Sequence, residues 1–453
     1  MDGNSVVPIV ARAARYKLSR RQWLKETGAW SLAAMGVSCV AREPRGRPPS
    51  GHVWVVDSQA LVVRPADLGF EQPQILSPEG LTHLRNGDLL LAACVQGAAK
   101  TFILRSSDRG HTWKQQGGFE NQGGGTSEGM VALRSGRLVA ICYKPEGKAG
   151  TIPRGSEYYV PGGSNFRFEY LRSVQYGAYS DDEGKTWNYS PLMDISPFEG
   201  ASFVSSSQIF ETADGSLAAS FYGHLNEEEL ESGVGSVGLI RSHDGGETWG
   251  DVSVICSGVP GSGEWYNESW VTPLSGNRWI CMVRMNPGNE HRKTPLYMKR
   301  CYSDDAGRTW THPVPTRFRG GEPGGSVLPD GSLLCSQTGA WTMDLQIRAD
   351  HVRPTRFGVL DRGRLLYEVS SDGGLTWDYW GDLYLADRGS REHMGSTIVR
   401  VLDEDHLLAV YHRGTKAWSK EHGSAARGIG ATWLKRVAWD HPAAERLVYP
   451  REL

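Results

Sequence analysis

Glutamates stand at the start of four apolar runs in this chain, at Glu79-Gly80, Glu128-Gly129, Asn267-Glu268 and Glu322, while Ser206-Ser207-Gln208 and His393-Met394-Gly395 hold the same place in two others. The following apolar runs end on Tyr143, Phe221-Tyr222, Arg284 and Tyr411-His412-Arg413, and Arg362 lies ahead of another. Two carboxyl groups, one kept protonated by its surroundings and one charged, are the acid–base pair of a glycosidase. Arginine adds bidentate grip on an anionic or hydroxyl-rich group. Glu268 with Glu128 or Glu79 would do the acid–base work, and Arg284 with Arg362 would hold the substituent. His393, Tyr143, Tyr222 or Tyr411 would equally suit a base in the elimination of a uronic acid, and both chemistries stay open. The sequence has no phosphate loop, dinucleotide fingerprint or H-E-x-x-H helix. Its Ser, His and Asp residues lack a nucleophile elbow. No cofactor and no metal is expected.

These residues need a scaffold that repeats. The octapeptide S-x-D-x-G-x-T-W occurs five times, starting at Ser106, Ser180, Ser242, Ser303 and Ser370. It suits a tight turn: the Asp accepts turn amides, the Gly supplies positive φ, the hydroxyls close the loop and the Trp packs beneath. Before each box come an apolar strand, a glycine turn and a second apolar strand, as in GMVALRSGRLVAICY. A sixth such unit, GSTIVRVLDEDHLLAVYH, is followed only by a vestige of the box, Gly428 to Trp433. Six units of four strands set radially make an all-β fold, a six-bladed β-propeller. His52 to Pro65 alternates like a strand and is expected to complete the sixth blade. In such a ring the starts of the first strands and the ends of the second converge on one face, where the residues named above would meet.

The box resembles the Asp-box, or bacterial-neuraminidase repeat, of the sialidase superfamily, and the likeness spans nearly all of 52–450. It implies that the boxes are structural and lie away from the active face. Asn267-Glu268 followed sixteen residues later by Arg284 is similar to that superfamily's Asn-Glu strand and its arginine. The resemblance gives Glu268 the polarisation of a tyrosine nucleophile and gives Arg284 and Arg362, eight residues before Ser370, places in a three-arginine carboxylate clamp; Arg364 stands close enough to Arg362 to replace it. Three parts of the pattern are missing. Leu76 to Leu81 holds no arginine where the first clamp residue stands, the loop for the acid Asp is cut to Gln96–Lys100, and Met394-Gly395-Ser396 has glycine in place of the tyrosine.

Composition agrees with many short strands: 56 glycines, 16 tryptophans and 17 tyrosines in 453 residues favour positive-φ turns and flat packing surfaces over long helices. With 49 Lys and Arg against 51 Asp and Glu there is no basic surplus for a phosphate backbone, so nucleic acid is excluded as a partner. Residues 1–40 carry Ser19-Arg20-Arg21-Gln22-Trp23-Leu24-Lys25 ahead of a short uncharged stretch, Gly28 to Val40. This resembles a twin-arginine signal, whose cargo crosses the membrane folded. Thirteen apolar residues are too few to span a bilayer. Cys39 has only a partial lipoprotein box around it. Residues 41–51 are expected to be a linker and 52–450 one propeller. The six cysteines beyond Cys39 show no C-x-x-C, and those in apolar runs suit buried free thiols. The expected product is an exported, monomeric glycoside hydrolase acting on terminal, possibly acidic, sugars of a glycan. A non-catalytic glycan-binding propeller and a polysaccharide lyase are the alternatives.

Overall fold

Short aliphatic runs punctuated by Gly, Asp and Ser turns fold into strand after strand. The computed structural model describes residues 51–70, 76–95, 100–121, 125–146, 150–151, 166–167, 172–203, 208–232, 234–259, 264–287, 298–316, 320–339, 364–384, 394–413 and 428–443. They belong to the unit Pro48–Leu453; the unit Met1–Arg47, and with it the expected signal, lies outside the described residues.

Strand β1 (His52–Val63) comes first in the chain and last in the ring. Blade one is β2 (Leu76–His83), β3 (Leu89–Val95), β4 (Lys100–Ser106) and β5 (Lys114–Glu120). Blade two is β6 (Gly125–Ala132) and β7 (Leu138–Glu146), then a two-stranded ribbon of β8 (Gly150–Thr151) and β9 (Phe166–Arg167), then β10 (Arg172–Ser180) and β11 (Asn188–Leu192). In blade three the inner strand is split into β12 (Gly200–Phe203) and β13 (Phe210–Glu211); both pair with β14 (Leu217–His224), which is followed by the one-turn helix α1 (Glu227–Ser232), β15 (Ser236–Ser242) and β16 (Gly250–Ser257). Blade four is β17 (Glu264–Pro273), β18 (Trp279–Pro287), β19 (Lys299–Ser303) and β20 (Val314–Pro315). Blade five is β21 (Gly320–Val327), β22 (Leu333–Gly339), β23 (Arg364–Ser370) and β24 (Asp378–Tyr384). Blade six is β25 (Met394–Asp403), β26 (His406–Arg413), β27 (Gly428–Ala438) and β1, whose ladder with β27 runs from His52↔Ala438 to Val63↔Ile429 and closes the ring.

The apolar interior is divided into layers, each between two neighbouring blades. Leu81 and Val95 pack on Leu408 and Val410, Leu90 and Ile103 on Leu138 and Ala140, and Val139 and Ile141 on Leu217 and Phe221. Leu239 packs against Trp279, Ile280 against Leu333, and Leu334 against Leu407. Strands held between two layers are buried along their whole length, as in β3 and β15, so they show no alternation.

The five boxes share one geometry. In the second, the Ser180 hydroxyl receives the Gly184 amide at 2.8 Å and donates to Asp182 Oδ1 at 2.8 Å; Asp182 then accepts the Thr186 amide and hydroxyl at 2.8 and 2.6 Å. The Trp187 indole closes back on the Gly184 carbonyl at 3.0 Å. Each box glycine has positive φ and lies against the preceding blade: Gly110 on Leu408, Gly184 on Ile103, Gly246 on Val139, Gly307 on Leu239, Gly374 on Ile280. Box and blade seam are therefore one structure. The expected sixth box is not a turn. Residues 428–433 lie within β27, because they lack the Ser and Asp that nucleate the loop, and the Trp433 indole donates instead to Arg109 O in the first box at 2.9 Å.

All six described cysteines, Cys94, Cys142, Cys256, Cys281, Cys301 and Cys335, are buried free thiols. No helix among the described residues is long and apolar enough to cross a membrane.

Gly246 combines φ of +92° with a Cβ position 2.8 Å from Val139 Cγ1, whereas Gly215 has φ of +87° and open space around it. Gly246→Ala is expected to cost about 1–3 kcal/mol and more than Gly215→Ala, which carries backbone strain alone. Urea unfolding compares the two, and equal losses would remove the seam contact from the account. The Asp182 and Asp305 carboxyls are held at about 2 by their threonine hydroxyls and amides. Their stabilising contribution is present above the ordinary carboxylate pKa and is lost as pH falls from about 4 to 2. The double variant Asp182→Asn, Asp305→Asn is expected to unfold with a flatter pH dependence across that window than the wild type.

Candidate active site

The inner strands are irregular at one level. Register breaks fall between Pro78 and Gly80 in blade one, Thr126 and Met130 in blade two, Tyr266 and Ser269 in blade four, Gly321 and Gly324 in blade five, and Gly395 and Ile398 in blade six. A bulge adds a residue with no partner and turns its side chain away from the regular pleat. Glu79, Glu128, Glu268 and Glu322 all lie in these breaks, and so does Ser396. In blade four Pro273, Trp279 and Ser303 stand abreast at the box end, five residues beyond Glu268, so bulges and boxes are roughly 16 Å apart along the strand.

The closest grouping lies between blades four and five. Glu268 and Arg284 flank one hairpin, opposite each other because Tyr266 pairs with Met285 and Ser269 with Val283. Arg284 Nη1 donates to Glu268 Oε2 at 2.5 Å, with side-chain exposures of 17% and 14% that mark a largely desolvated pair. The same oxygen accepts the backbone amide of Glu322 at 2.9 Å. Glu322 adopts φ of +49°, a left-handed conformation that a non-glycine residue takes only when its surroundings enforce it. Burial pushes the Glu268 carboxyl upward; the Arg284 guanidinium pulls it down, the Glu322 charge pushes it up again, and the net direction is up. Arg284 opposes its own burial through the pull of Glu268 and then Glu322, with Tyr222 also close enough to act on it, and its pKa is raised.

Glu264, Tyr266 and Lys299 anchor the strand just ahead of that bulge. Lys299 Nζ donates to Glu264 Oε1 at 2.6 Å and to the Tyr266 hydroxyl at 2.9 Å, and that hydroxyl donates to Glu264 Oε2 at 2.5 Å. Burial, then Glu264, pushes the Tyr266 phenol well above its ordinary range, and the residue is 1% exposed. It holds position and stays protonated.

The other sequence candidates fall in three groups. Glu79 and Tyr143 are neighbours across blades one and two: burial, then the Glu79 charge, moves the Tyr143 phenol upward. Tyr222 is buried in the layer between blades three and four. Tyr411 is also core, 1% exposed, between blades five and six and packed over Gly430, where any Cβ would meet its ring at 2.5 Å. Glu128 lies in the blade-two bulge by its backbone, while its side chain, Arg362 and His393 lie outside the described residues. Glu322, grouped in the sequence with the other strand starts but given no role, is the residue whose backbone amide meets Glu268 and whose charge acts on it; its signal is a single acid within Gly320-Gly321-Glu322-Pro323-Gly324-Gly325. The Lys299 anchor had no sequence signal, because Lys299 reaches Glu264 from the third strand of the blade.

A groove of about 920 Å³ opens at the opposite end, among the hairpins and boxes of blades one to three. Its Arg134 is matched by Glu211, and its Arg137 by Asp181 and Glu247. No group of three or more His, Cys, Asp or Glu side chains among the described residues is placed to hold a metal. The bulge face therefore offers paired carboxylates, a guanidinium and hydroxyl-bearing neighbours, a set fitted to general acid–base chemistry.

Similarity to solved structures follows the fold. A protein from Dyadobacter fermentans DSM 18053 superposes with a TM-score of 0.55 at 15% identity, over 84% of this chain and 99% of that one. An α-L-arabinanase from Penicillium chrysogenum, complexed with arabinobiose, gives 0.54 at 15%, over 84% and 98%. The Hadza microbial sialidase Hz136 gives 0.52 at 18%, over 80% and 66%. At such identities the likeness is one of fold. A search of the curated proteins finds no match. Residues 158–401, more than half of the sequence, match the family described as BNR repeat-like domain, and with the sialidase-like propeller in place the chain belongs to that family.

Proposed function

We propose that the protein is an exported glycoside hydrolase acting on terminal sugars of glycans, with Glu268 and Glu322 as its acid–base pair. The observation that carries this reading is the backbone amide of Glu322 on the Glu268 carboxylate, which pairs with Arg284, where the charges of both glutamates act. Burial favours the protonated form of Glu268, which suits a general acid that gives its proton to the leaving glycosidic oxygen. Glu322 then serves as base or nucleophile on the opposite side of the sugar. Arg284 is already engaged by Glu268, so it acts on sugar hydroxyls; a sugar carboxylate would need a further cation, and Arg362 is the candidate. Glu79, Glu128, Tyr143, Tyr222 and His393 complete the proposed wall. The likeness in fold to an α-L-arabinanase and a sialidase supports a glycan substrate. Residues 1–40 act as a twin-arginine signal read by that export machinery, 41–51 as a linker, and 52–450 as one monomeric propeller outside the cytoplasm.

A second reading, a glycan-binding propeller without turnover, is favoured by Gly395 standing where the superfamily has its tyrosine. One experiment separates the two: screening the purified protein against aryl glycosides of neutral pentoses, hexoses and sialic acid, with binding measured by calorimetry. Turnover by the wild type, with Glu268→Gln and Glu322→Gln each lowering kcat about 10²–10⁴-fold while binding persists, supports the hydrolase. Binding with no turnover supports the second reading, and full activity in Glu268→Gln sinks the assignment of the acid. Arg284→Met strands a buried carboxylate and is expected to cost about 3–5 kcal/mol of stability. Adding Glu268→Gln to it should restore part of that loss in urea unfolding; simple additivity would show that the pair is not coupled.

A further inference from the structure

Farther along the channel, toward the boxes, lies a cation that the glycan site does not use. Arg400 belongs to β25, beyond the Gly395–Ile398 break and roughly 10 Å along the strand from Ser396–Thr397. Its Nε donates to the Leu81 carbonyl of blade one at 2.7 Å and its Nη1 to the Val399 carbonyl at 2.9 Å, bridging the inner strands of blades six and one. Those two bonds engage two of its five N–H donors. Among the described residues no carboxylate pairs with it, and burial alone acts on its pKa, lowering it to about 10.

Two other arginines among the described residues are compensated. Arg284 has Glu268, and Arg241, 3% exposed, donates to Asp251 O, Ser253 Oγ, Ala306 O and Gly307 O, with the Asp251 and Asp305 carboxylates near. Among the described residues nothing beside Arg400 supplies negative charge. His83 places Nε2 on the Val401 carbonyl at 2.9 Å, and Ser326 donates its hydroxyl to the Val399 carbonyl at 2.7 Å. A part-buried guanidinium with donors left over and no counter-charge beside it draws an anion. Solvent can provide one.

We propose that the box-side half of the channel binds a small monovalent inorganic anion, of the chloride class, on the guanidinium of Arg400. The anion takes the remaining donors and neutralises the guanidinium between the inner strands of blades six and one. Its role is to stabilise the ring at that seam, independently of the chemistry on the bulge face.

The test is thermal unfolding of the full chain in sodium chloride against sodium gluconate at constant ionic strength. The wild type is expected to show a saturable rise of roughly 2 °C with chloride. Arg400→Met should lose that response and Arg400→Lys should keep part of it; if Arg400→Met does not fold, Arg400→Gln takes its place. Crystals soaked in sodium bromide should show an anomalous peak beside the guanidinium. A wild type indifferent to chloride, a response that survives in Arg400→Met or Arg400→Gln, or bromide bound only elsewhere would each overturn the proposal.

Discussion

Six inner strands meet around an axis, and apart from β12, which also pairs with β10, they leave one row of backbone amides and carbonyls with no strand beside it among the described residues. Such an edge is normally a site of aggregation or of unsatisfied polar groups. Here side chains of other blades fill it, from the neighbouring blade or, for Gln208, from blade three across to blade five. Arg400 donates to Leu81 O, Ser326 to Val399 O, Gln208 to Gly325 O at 3.2 Å and Ser220 to Ser269 O at 3.3 Å, while the Ala132 amide donates to Thr82 Oγ1 at 3.0 Å. The inner edges thus become contacts between blades. The bulges are part of the same arrangement: where the ladder is broken, the Glu322 amide is released from its own blade and holds Glu268 of the preceding one. One irregularity both redirects a carboxyl and supplies a donor to its partner.

Rigidity comes from the layers between blades rather than from surface charge. Arg105–Glu183, Arg137–Glu247, Arg308–Asp251 and Arg109–Asp403 cross four seams near the boxes, with distances of 2.5–2.8 Å. All four are substantially exposed, and pairs of that kind contribute about 0–1 kcal/mol each. The side chains beneath them, such as Leu90, Leu138, Leu217 and Ile280, are wholly removed from water and contribute about 1.5–3 kcal/mol each relative to exposure. The box glycines let those layers close, since Gly110, Gly246, Gly307 and Gly374 approach the preceding blade at distances that leave no room for a methyl group, and Gly184 leaves little.

Blade number and topology were legible because the box repeats as a literal string, and its Ser, Asp, Gly and Trp interact within eight residues. Glu268 and Arg284 were legible as a pair for a similar reason: they flank one hairpin, so their spacing is fixed by the ladder. The parity of a strand after a bulge was not. Tyr411 and Tyr143 both stand at the end of a second strand, yet one packs between blades and the other lies beside Glu79, and nothing local distinguishes them. The meeting of Glu322 with Glu268 was hidden as well, because it joins residues 54 apart through a backbone amide. The missing sixth box follows the opposite logic: a Trp remained, but without the Ser and Asp ahead of it the segment is free to extend as strand.

Ring closure by β1 carries a consequence for the order of events during synthesis. β1 ends at Val63, and the strand it pairs with begins 365 residues later at Gly428. A ribosome adding ~5–20 residues per second leaves that strand waiting for roughly 20–70 s. Its middle holds Asp57, Ser58 and Gln59, all exposed in the finished ring, which interrupt the apolar run on either side. Polar residues at that point act as gatekeepers against premature pairing with another chain. The ring can close only after Ala438 has emerged, so a nascent propeller released before that point exposes an unpaired strand on each side of the gap.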